Sequence, residues 1–220
     1  IPSIALGKIS STIIADAWKE NDIATIDDIY FKSSINQLFV GLLLFILMVT
    51  NLHNIFKILP SDYSAGKWVI ILISLSNLIV SSTGVSVQII GTSHKYKIQT
   101  YSLGVLIILA VIFYMIFIPV WGLIGAALGS LLSVSIASLL RVFYLHQSMR
   151  LFPYRLIHLK CVAFGLIAFI VGKIIPVVDY FLIDLIIRCS AISIVFIGLC
   201  YWFAISEDLV KIGDKVLVVL

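Results

Sequence analysis

Two apolar stretches of the chain meet at Pro119 with almost no polar sequence between them. The first covers residues 98–118 and the second residues 122–144. Each is close to the length of about 20 apolar residues that a helix needs to cross the hydrocarbon of a bilayer. Because the connection is so short, the second helix must run back beside the first. The sequence therefore predicts an antiparallel helical hairpin in a membrane.

Four more apolar stretches have the length of a membrane span, namely residues 36–56, 68–90, 161–178 and 182–205. The chain is 61% hydrophobic and 12% charged, with a mean hydropathy of +1.17. Soluble domains are about 45–50% apolar and about 25% charged, so the natural solvent of this chain is a bilayer. We expect an all-α, polytopic membrane bundle with six full transmembrane helices, preceded by the end of another helix in residues 1–15.

The polar segments divide this bundle into parts. We expect a four-helix part and a final helix pair, joined and flanked by polar segments: residues 1–32 (helix end and acidic amphipathic connector), 33–146 (four helices), 147–160 (basic connector), 161–206 (helix pair) and 207–220 (tail). In the first connector, Thr25 and Asp28 have the spacing of a capping box, which predicts a helix that begins near Ile26. The alternative is a solvated linker with no helix of its own.

The positive charges indicate an orientation. Only four of the fifteen Lys and Arg residues fall on one side of the predicted spans, and these are Lys57, Lys67, Lys173 and Arg188. The other eleven fall on the opposite side, which the positive-inside rule assigns to the cytoplasm. Both ends of the chain are therefore expected in the cytoplasm. Because these cations lie in short gaps between spans, they argue against a nucleic-acid groove.

The fourth predicted span has one face that is nearly free of side chains. Gly125, Gly129, Ser133 and Ala137 are each four residues apart, so they lie on one face of a helix. In lipid, such small residues allow two helix backbones to approach closely. We expect this face to be a helix-packing surface.

The string Pro119–Ala127, PVWGLIGAA, resembles the Pro-x-aromatic-Gly-x-x-Gly-Ala-Ala signature of bacterial polysaccharide flippases. These are the O-antigen and capsule transporters of the multidrug/oligosaccharidyl-lipid/polysaccharide exporter superfamily. Weaker similarity to their helix ends and turns runs through residues 2–18, 55–67 and 91–97. The resemblance implies that the chain is a piece of a longer protein, helices nine to fourteen of the C-terminal lobe in a fourteen-helix member.

The resemblance also implies a function. Such a protein translocates an undecaprenyl-diphosphate-linked oligosaccharide across the bacterial cytoplasmic (inner) membrane in polysaccharide biosynthesis. Its partners would be this lipid-linked substrate, membrane lipids and the N-terminal lobe, with no nucleic acid. The resemblance implies that the last two helices line a groove for the lipid tail; an equally apolar pair could simply face bulk lipid. We expect no enzymatic activity, cofactor or metal.

Polar residues within the spans are the candidate substrate contacts. Asn77, Ser81 and Gln88 fall close to one stripe of the second predicted span, where unpaired amides in hydrocarbon would be costly. They line a substrate cavity or form interhelical hydrogen bonds. Arg188 lies one turn beyond Asp184, which makes an ion pair available at the outer edge of the sixth span. Alternatively, Arg188 binds the diphosphate.

Other functions stay open. An integral-membrane enzyme of the same pathway would be a polymerase, which needs a large outer loop, or an acyltransferase, which needs a well-placed histidine. All predicted outer loops are short. The four histidines are His53, His94, His146 and His158. None of them has a carboxylate near it in sequence to orient it as a base. The three cysteines have no paired spacing, and no metal-binding motif is present. A multidrug exporter of the same superfamily and a six-span assembly subunit are further alternatives.

Overall fold

A computed structural model describes residues 2–58, 66–178, 180–206, 208 and 210. Every regular element in this part of the chain is a helix, which confirms the predicted all-α class. The helices are α1 Pro2–Glu20, α2 Ile23–Thr50, α3 Leu52–Ile58, α4 Gly66–Ser82, α5 Ser86–Thr92, α6 Lys97–Met149, α7 Leu156–Ile174 and α8 Phe181–Trp202. Most of the predicted outer loop between the first two spans, residues 59–65, lies outside the described residues, as does nearly all of the predicted tail.

In the described part of the chain, four helices are long and apolar enough to span a membrane, namely α2, α6, α7 and α8. A fifth candidate is the pair of α4 and α5, which meet at an angle of 50°. Large apolar side chains on the outer surfaces of these helices are exposed, including Ile107, Leu166 and Ile186. Such a surface is suited to lipid and not to water. These helices indicate a membrane protein.

Helix α6 is broken at Gly122, where φ is 54° and ψ is −125°. Glycine adopts this backbone conformation without the strain that a Cβ would cause. Gly129, beyond the break, lies so close to Tyr114 that an added Cβ would be 2.7 Å from the ring. In one straight helix these two residues would be about 22 Å apart. The two limbs of α6, residues 97–121 and 123–149, therefore lie side by side, as the hairpin predicted at Pro119 requires.

The bare face of the second limb is on the inside of this hairpin. Gly125, Gly129, Ser133 and Ala137 are all buried. A Cβ added to Gly125 would collide with the backbone carbonyl of Phe117 in the first limb. The Ser133 hydroxyl donates to the Gly129 carbonyl at 2.6 Å, so it brings no unpaired polar group into the contact. The small residues allow the two limbs to approach at backbone distance.

The chain divides into two compact units, and neither is one continuous stretch of sequence. Unit 1 comprises residues 1–37 and 68–154, and unit 2 comprises residues 38–67 and 155–220. In unit 1, the short helix α5 packs against both α1 and α6. Their apolar side chains form one core, namely Ile14, Ala17, Ile26, Tyr30, Val85, Ile89, Ile90, Leu145 and Leu151.

The break between α4 and α5 brings the backbone close to the start of α2. Gly84 has a φ of 55°, and a Cβ there would be 2.7 Å from both the Ser33 hydroxyl and the Ser34 nitrogen. The Ser33 hydroxyl also accepts a hydrogen bond from the Val85 N–H at 3.2 Å. The predicted second span is therefore interrupted because a glycine turn is held against α2.

Helix α2 begins at Ile23 and not near Ile26, so the capping-box prediction is wrong. Asp22 caps the helix: its carboxylate accepts a hydrogen bond from the Thr25 hydroxyl at 2.5 Å and another from the Thr25 N–H at 3.0 Å. These hydrogen bonds hold the pKa of Asp22 below its ordinary value. Thr25 is thus the third helical residue, whose orphan N–H an N-cap side chain satisfies.

In unit 2, α7 and α8 pack along their lengths. Cys161 near the start of α7 interacts with Cys200 near the end of α8, while Gly172 near the end of α7 contacts Ile192. The two helices are therefore antiparallel. Phe39 of α2 stacks on Phe196 of α8 with ring centroids 5.1 Å apart. Both Cys161 and Cys200 are buried free thiols, in keeping with a small apolar residue in a helix contact.

Candidate functional site

A buried ion pair lies at the start of α8. Asp184 is fully buried and Arg188 is 3% exposed. The guanidinium donates from Nη2 to Oδ1 of Asp184 at 3.0 Å and from Nε to Oδ2 at 3.3 Å. The spacing of four residues places the two side chains on one helix face. The ion pair that the sequence made available is therefore present.

Other groups from unit 2 complete this cluster. The Asp184 carboxylate also accepts hydrogen bonds from the Asn54 amide and from the Val178 N–H, the latter at 3.1 Å. Arg188 donates through Nη1 to the carbonyl of Gly172 in α7. A buried ion pair persists only when its remaining donors and acceptors are satisfied. The cluster joins α3 and α8 at the Asp184 carboxylate, and Arg188 extends it to α7.

These contacts bear on the predicted role of Arg188. Its Nε, Nη1 and Nη2 atoms all donate to groups of the protein itself. In this conformation the guanidinium has few donors left for a substrate. Its role as a diphosphate-binding cation stays a prediction.

His53 is the functional candidate that the sequence did not reveal. Its Nε2 lies 2.9 Å from Oδ2 of Asp184, although the two residues are 131 positions apart in the chain. No carboxylate lies near His53 in the sequence, so local spacing gives no sign of this contact. The one usable signal was Asp184 itself, because a carboxylate in an apolar helix requires partners from other helices.

The side chain of His53 also borders a cavity of about 340 Å³ in unit 2. Two exposed cations, Lys67 and Lys173, line the same cavity, and Thr50 adds a hydroxyl. Among the described residues that line this cavity none is a carboxylate, and the remaining ones are apolar: Val49, Leu52 and Phe56. The lining therefore favours an anionic or strongly polar guest over a cation.

The predicted polar stripe of the second span is divided by the turn at Gly84. Asn77 and Ser81 lie on α4, whereas Gln88 lies on α5. Asn77 is exposed, and its amide donates to the carbonyl of Ile73 in its own helix at 3.1 Å. None of the three lines the cavity beside His53. Their role as substrate contacts stays a prediction.

The other histidines lie elsewhere. His158 accepts a hydrogen bond from the Arg155 N–H at 3.1 Å and so caps α7. The His146 ring lies 5.2 Å from that of Phe152, and His94 is exposed. Within the described residues, no group of three or more His, Cys, Asp and Glu side chains is arranged to hold a metal ion.

Two kinds of chemistry fit the cluster in unit 2. The cations beside the cavity can bind a phosphate or carboxylate group. His53, oriented by Asp184, can accept or donate a proton at the cavity wall, since a base held by a carboxylate is the arrangement that general-base catalysis uses.

Comparison with known proteins finds no matching protein family, no matching curated protein and no matching solved structure.

Proposed function

We propose that the chain forms the last six membrane-spanning helices of a bacterial polysaccharide flippase. The complete protein moves an undecaprenyl-diphosphate-linked oligosaccharide from the inner to the outer leaflet of the inner membrane. The six spans are α2, α4 with α5, the two limbs of α6, α7 and α8. With this arrangement both ends of the chain are in the cytoplasm, on the side that carries most of the Lys and Arg residues.

The observation that carries this proposal is the reversal of α6 at Gly122. The string Pro119–Ala127, on which the resemblance depends, forms this reversal. Two of its glycines have a physical reason to be glycine: Gly122 has a positive φ, and Gly125 leaves no room for a Cβ against Phe117. A string that forms a specific turn supports the resemblance more than a chance match in an apolar helix would.

The unit 2 cavity is a second support. A diphosphate linkage is strongly anionic, and the cavity presents Lys67 and Lys173, with no carboxylate in the part of its lining that the structure describes. The exposed apolar faces of α7 and α8, including Ile170 and Ile183, suit either a polyprenyl tail or bulk lipid. Cations beside long apolar surfaces match the two chemical parts of a lipid-linked glycan.

One observation favours a second function, membrane-bound acyl transfer in the same pathway. His53 is held by Asp184 at the wall of a cavity, which is the arrangement that an acyltransferase would use for its general base. In that case Asp184 orients the imidazole, and the substrate hydroxyl occupies the cavity.

Genetic complementation separates the two functions. In a strain that lacks the complete gene, a flippase predicts that lipid-linked units accumulate in the inner leaflet, and reintroducing the gene restores their translocation. An acyltransferase predicts normal translocation and polysaccharide without its acyl groups, and that result would overturn the flippase proposal. The variant His53→Gln, which keeps a hydrogen-bonding side chain, should abolish acyl transfer but leave a flippase with measurable translocation.

Site-directed labelling tests the orientation. Single cysteines placed at Ser64 and Ser148, in a background without the native cysteines, should react with an impermeant thiol reagent from opposite sides of the membrane. Ser64 should be accessible from outside. Reaction of both positions from one side contradicts the six-span arrangement.

A further inference from the structure

The position of the hydrogen on the His53 ring is fixed by its partner. Asp184 accepts two hydrogen bonds from the Arg188 guanidinium, as an ionised carboxylate does, and an ionised carboxylate cannot donate. The contact of 2.9 Å between Asp184 and Nε2 of His53 therefore requires a hydrogen on Nε2. In a neutral imidazole the other nitrogen, Nδ1, then has a lone pair and no hydrogen. Neutral His53 is thus an acceptor at Nδ1.

This acceptor belongs to the part of His53 that a guest can approach. Among the described residues, the contact with Asp184 is the one hydrogen bond of the ring. The His53 side chain is 33% exposed and lines the unit 2 cavity, although Asp184 is fully buried. Because Nε2 faces the buried carboxylate, this exposure belongs to the rest of the ring. An anionic oxygen in the cavity would therefore meet a nitrogen that has no hydrogen to donate.

The charges around His53 are positive on balance. Asp184 is neutralised by Arg188 in their ion pair. Lys67 and Lys173 line the cavity, and no ion pair of the described residues includes either of them. The lysines oppose a third positive charge on His53 until an anion neutralises them. The charged and titratable groups on the described elements around His53 are Asp184, Arg188 and Cys189 on α8, Lys173 on α7, Lys67 on α4 and Lys57 on α3 itself.

We infer that a diphosphate group enters this cavity together with one proton, which His53 takes up at Nδ1. The proton comes from the solution. The resulting imidazolium keeps its hydrogen bond to Asp184 and donates a second one from Nδ1 to a phosphate oxygen. Charge-assisted hydrogen bonds of this kind are roughly twice as strong as neutral ones. Histidine suits this role because its charge changes between about pH 5 and about pH 8. The inference rests on the proposed function, in which the cavity receives the diphosphate linkage.

A hydroxyl guest would bind differently in the same cavity. In the acyl-transfer function, the substrate hydroxyl donates to Nδ1 of the neutral ring. Such a guest needs no proton from solution and binds best when His53 is uncharged. Proton uptake on binding therefore distinguishes an anionic guest from a hydroxyl guest.

Isothermal titration calorimetry of the purified protein in a neutral detergent tests the inference without a variant. The probe is the dimethyl diester of diphosphate, which lacks the phosphate proton that titrates near about pH 6. Titrations in buffers with different enthalpies of ionisation give the number of protons taken up. We expect uptake at about pH 7.5 that decreases towards about pH 5.5, where the ring is charged beforehand. The affinity should rise by up to about tenfold for each unit by which the pH falls.

Each outcome separates this inference from the proposed function. Binding of the probe without proton uptake would overturn the inference and leave the two lysines as the diphosphate site. No binding at any pH would overturn the inference together with the assignment of this cavity to the diphosphate. In either case the complementation experiment decides the flippase function itself.

Two matched variants identify the group that takes up the proton. His53→Gln keeps both lysines and a hydrogen-bonding side chain, so it should still bind the probe. It should do so without proton uptake and with an affinity that no longer depends on pH. His94→Gln, which removes an exposed histidine from unit 1, should keep the uptake of the unmutated protein. Uptake that persists in His53→Gln would overturn the inference, because another group would then be responsible.

Discussion

Each unit of the molecule buries one arginine in an apolar helix, and the two arginines have opposite surroundings. Arg188 in unit 2 has Asp184 one turn before it and a carbonyl acceptor in the neighbouring helix. Arg141 in unit 1 has one serine hydroxyl. A buried charge whose partners lie within the protein holds helices together, whereas a buried charge without them stays uncompensated. The partners of a buried charge, more than its burial, indicate its role.

The largest expected effect comes from removing each arginine in turn. Arg188→Leu leaves the fully buried Asp184 carboxylate without its counter-charge, which should cost about 3–5 kcal/mol of folding free energy. Arg141→Leu leaves no buried charge behind and should not lower stability in lipid-free detergent. Thermal or denaturant unfolding of the two variants measures the difference. Equal losses in both variants would break the distinction between the two sites.

A second test of the difference between the two arginines removes both members of the unit 2 ion pair. Adding Asp184→Leu to Arg188→Leu should recover most of the lost stability, because two apolar side chains leave no uncompensated charge. His53 lines the cavity and can be rehydrated there, whereas the buried Asn54 amide loses its acceptor, so the recovery should stay incomplete. If the double variant is no more stable than Arg188→Leu, the loss comes from packing and not from the charge on Asp184.

The third prediction concerns the approach of α7 to α8. A Cβ at Gly172 would be 2.7 Å from Cδ1 of Ile192, so Gly172→Ala should shift the carbonyl that Arg188 uses and cost about 1–3 kcal/mol. Gly198→Ala in the same helix pair meets nothing within 4 Å and is the matched control. It should be neutral or stabilising by up to about 1 kcal/mol, the difference in helix propensity. Similar values for both variants would contradict the close contact.

The smallest expected effect is the loss of helix stabilisation by Asp22 at low pH. Unlike Asp184, Asp22 is not buried. The hydrogen bonds with Thr25 lower the pKa of Asp22. Its contribution to the stability of the helix start is therefore fully present above the ordinary Asp pKa of about 4. It is lost as the pH falls through the lowered pKa. Helicity measured by circular dichroism as the pH falls below about 4 should decline slightly at the start of α2. Asp22→Ala should lack this part of the decline.

Features that depend on residues close together in the chain were predictable. The hairpin at Pro119, the bare face from Gly125 to Ala137 and the pair of Asp184 with Arg188 all follow from spacing along one or two adjacent helices. The start of α2 was misplaced by three residues because Asp22 and Thr25 compete as caps, and only the geometry of the turn selects Asp22. The turn at Gly84 was missed because the requirement for glycine comes from α2, far away in sequence.

The features of the sites that depend on distant residues were not predictable. Nothing near His53 indicates that it meets Asp184, 131 residues away. Likewise, Arg141 at the end of an apolar span reads as an interfacial cation, and only the fold buries it with the Ser138 hydroxyl as its partner and, among the described residues, no ion pair.

By itself, the sequence determined that this protein is helical, that long helices carry apolar surfaces, and that the chain reverses near Pro119. These properties follow from hydropathy and from residues a few positions apart, which one helix brings together whatever surrounds it. Only the tertiary structure decided which buried charge is neutralised and which is not. Desolvation and pairing depend on the helices that become neighbours, and the sequence spacing of an individual helix carries no information about them.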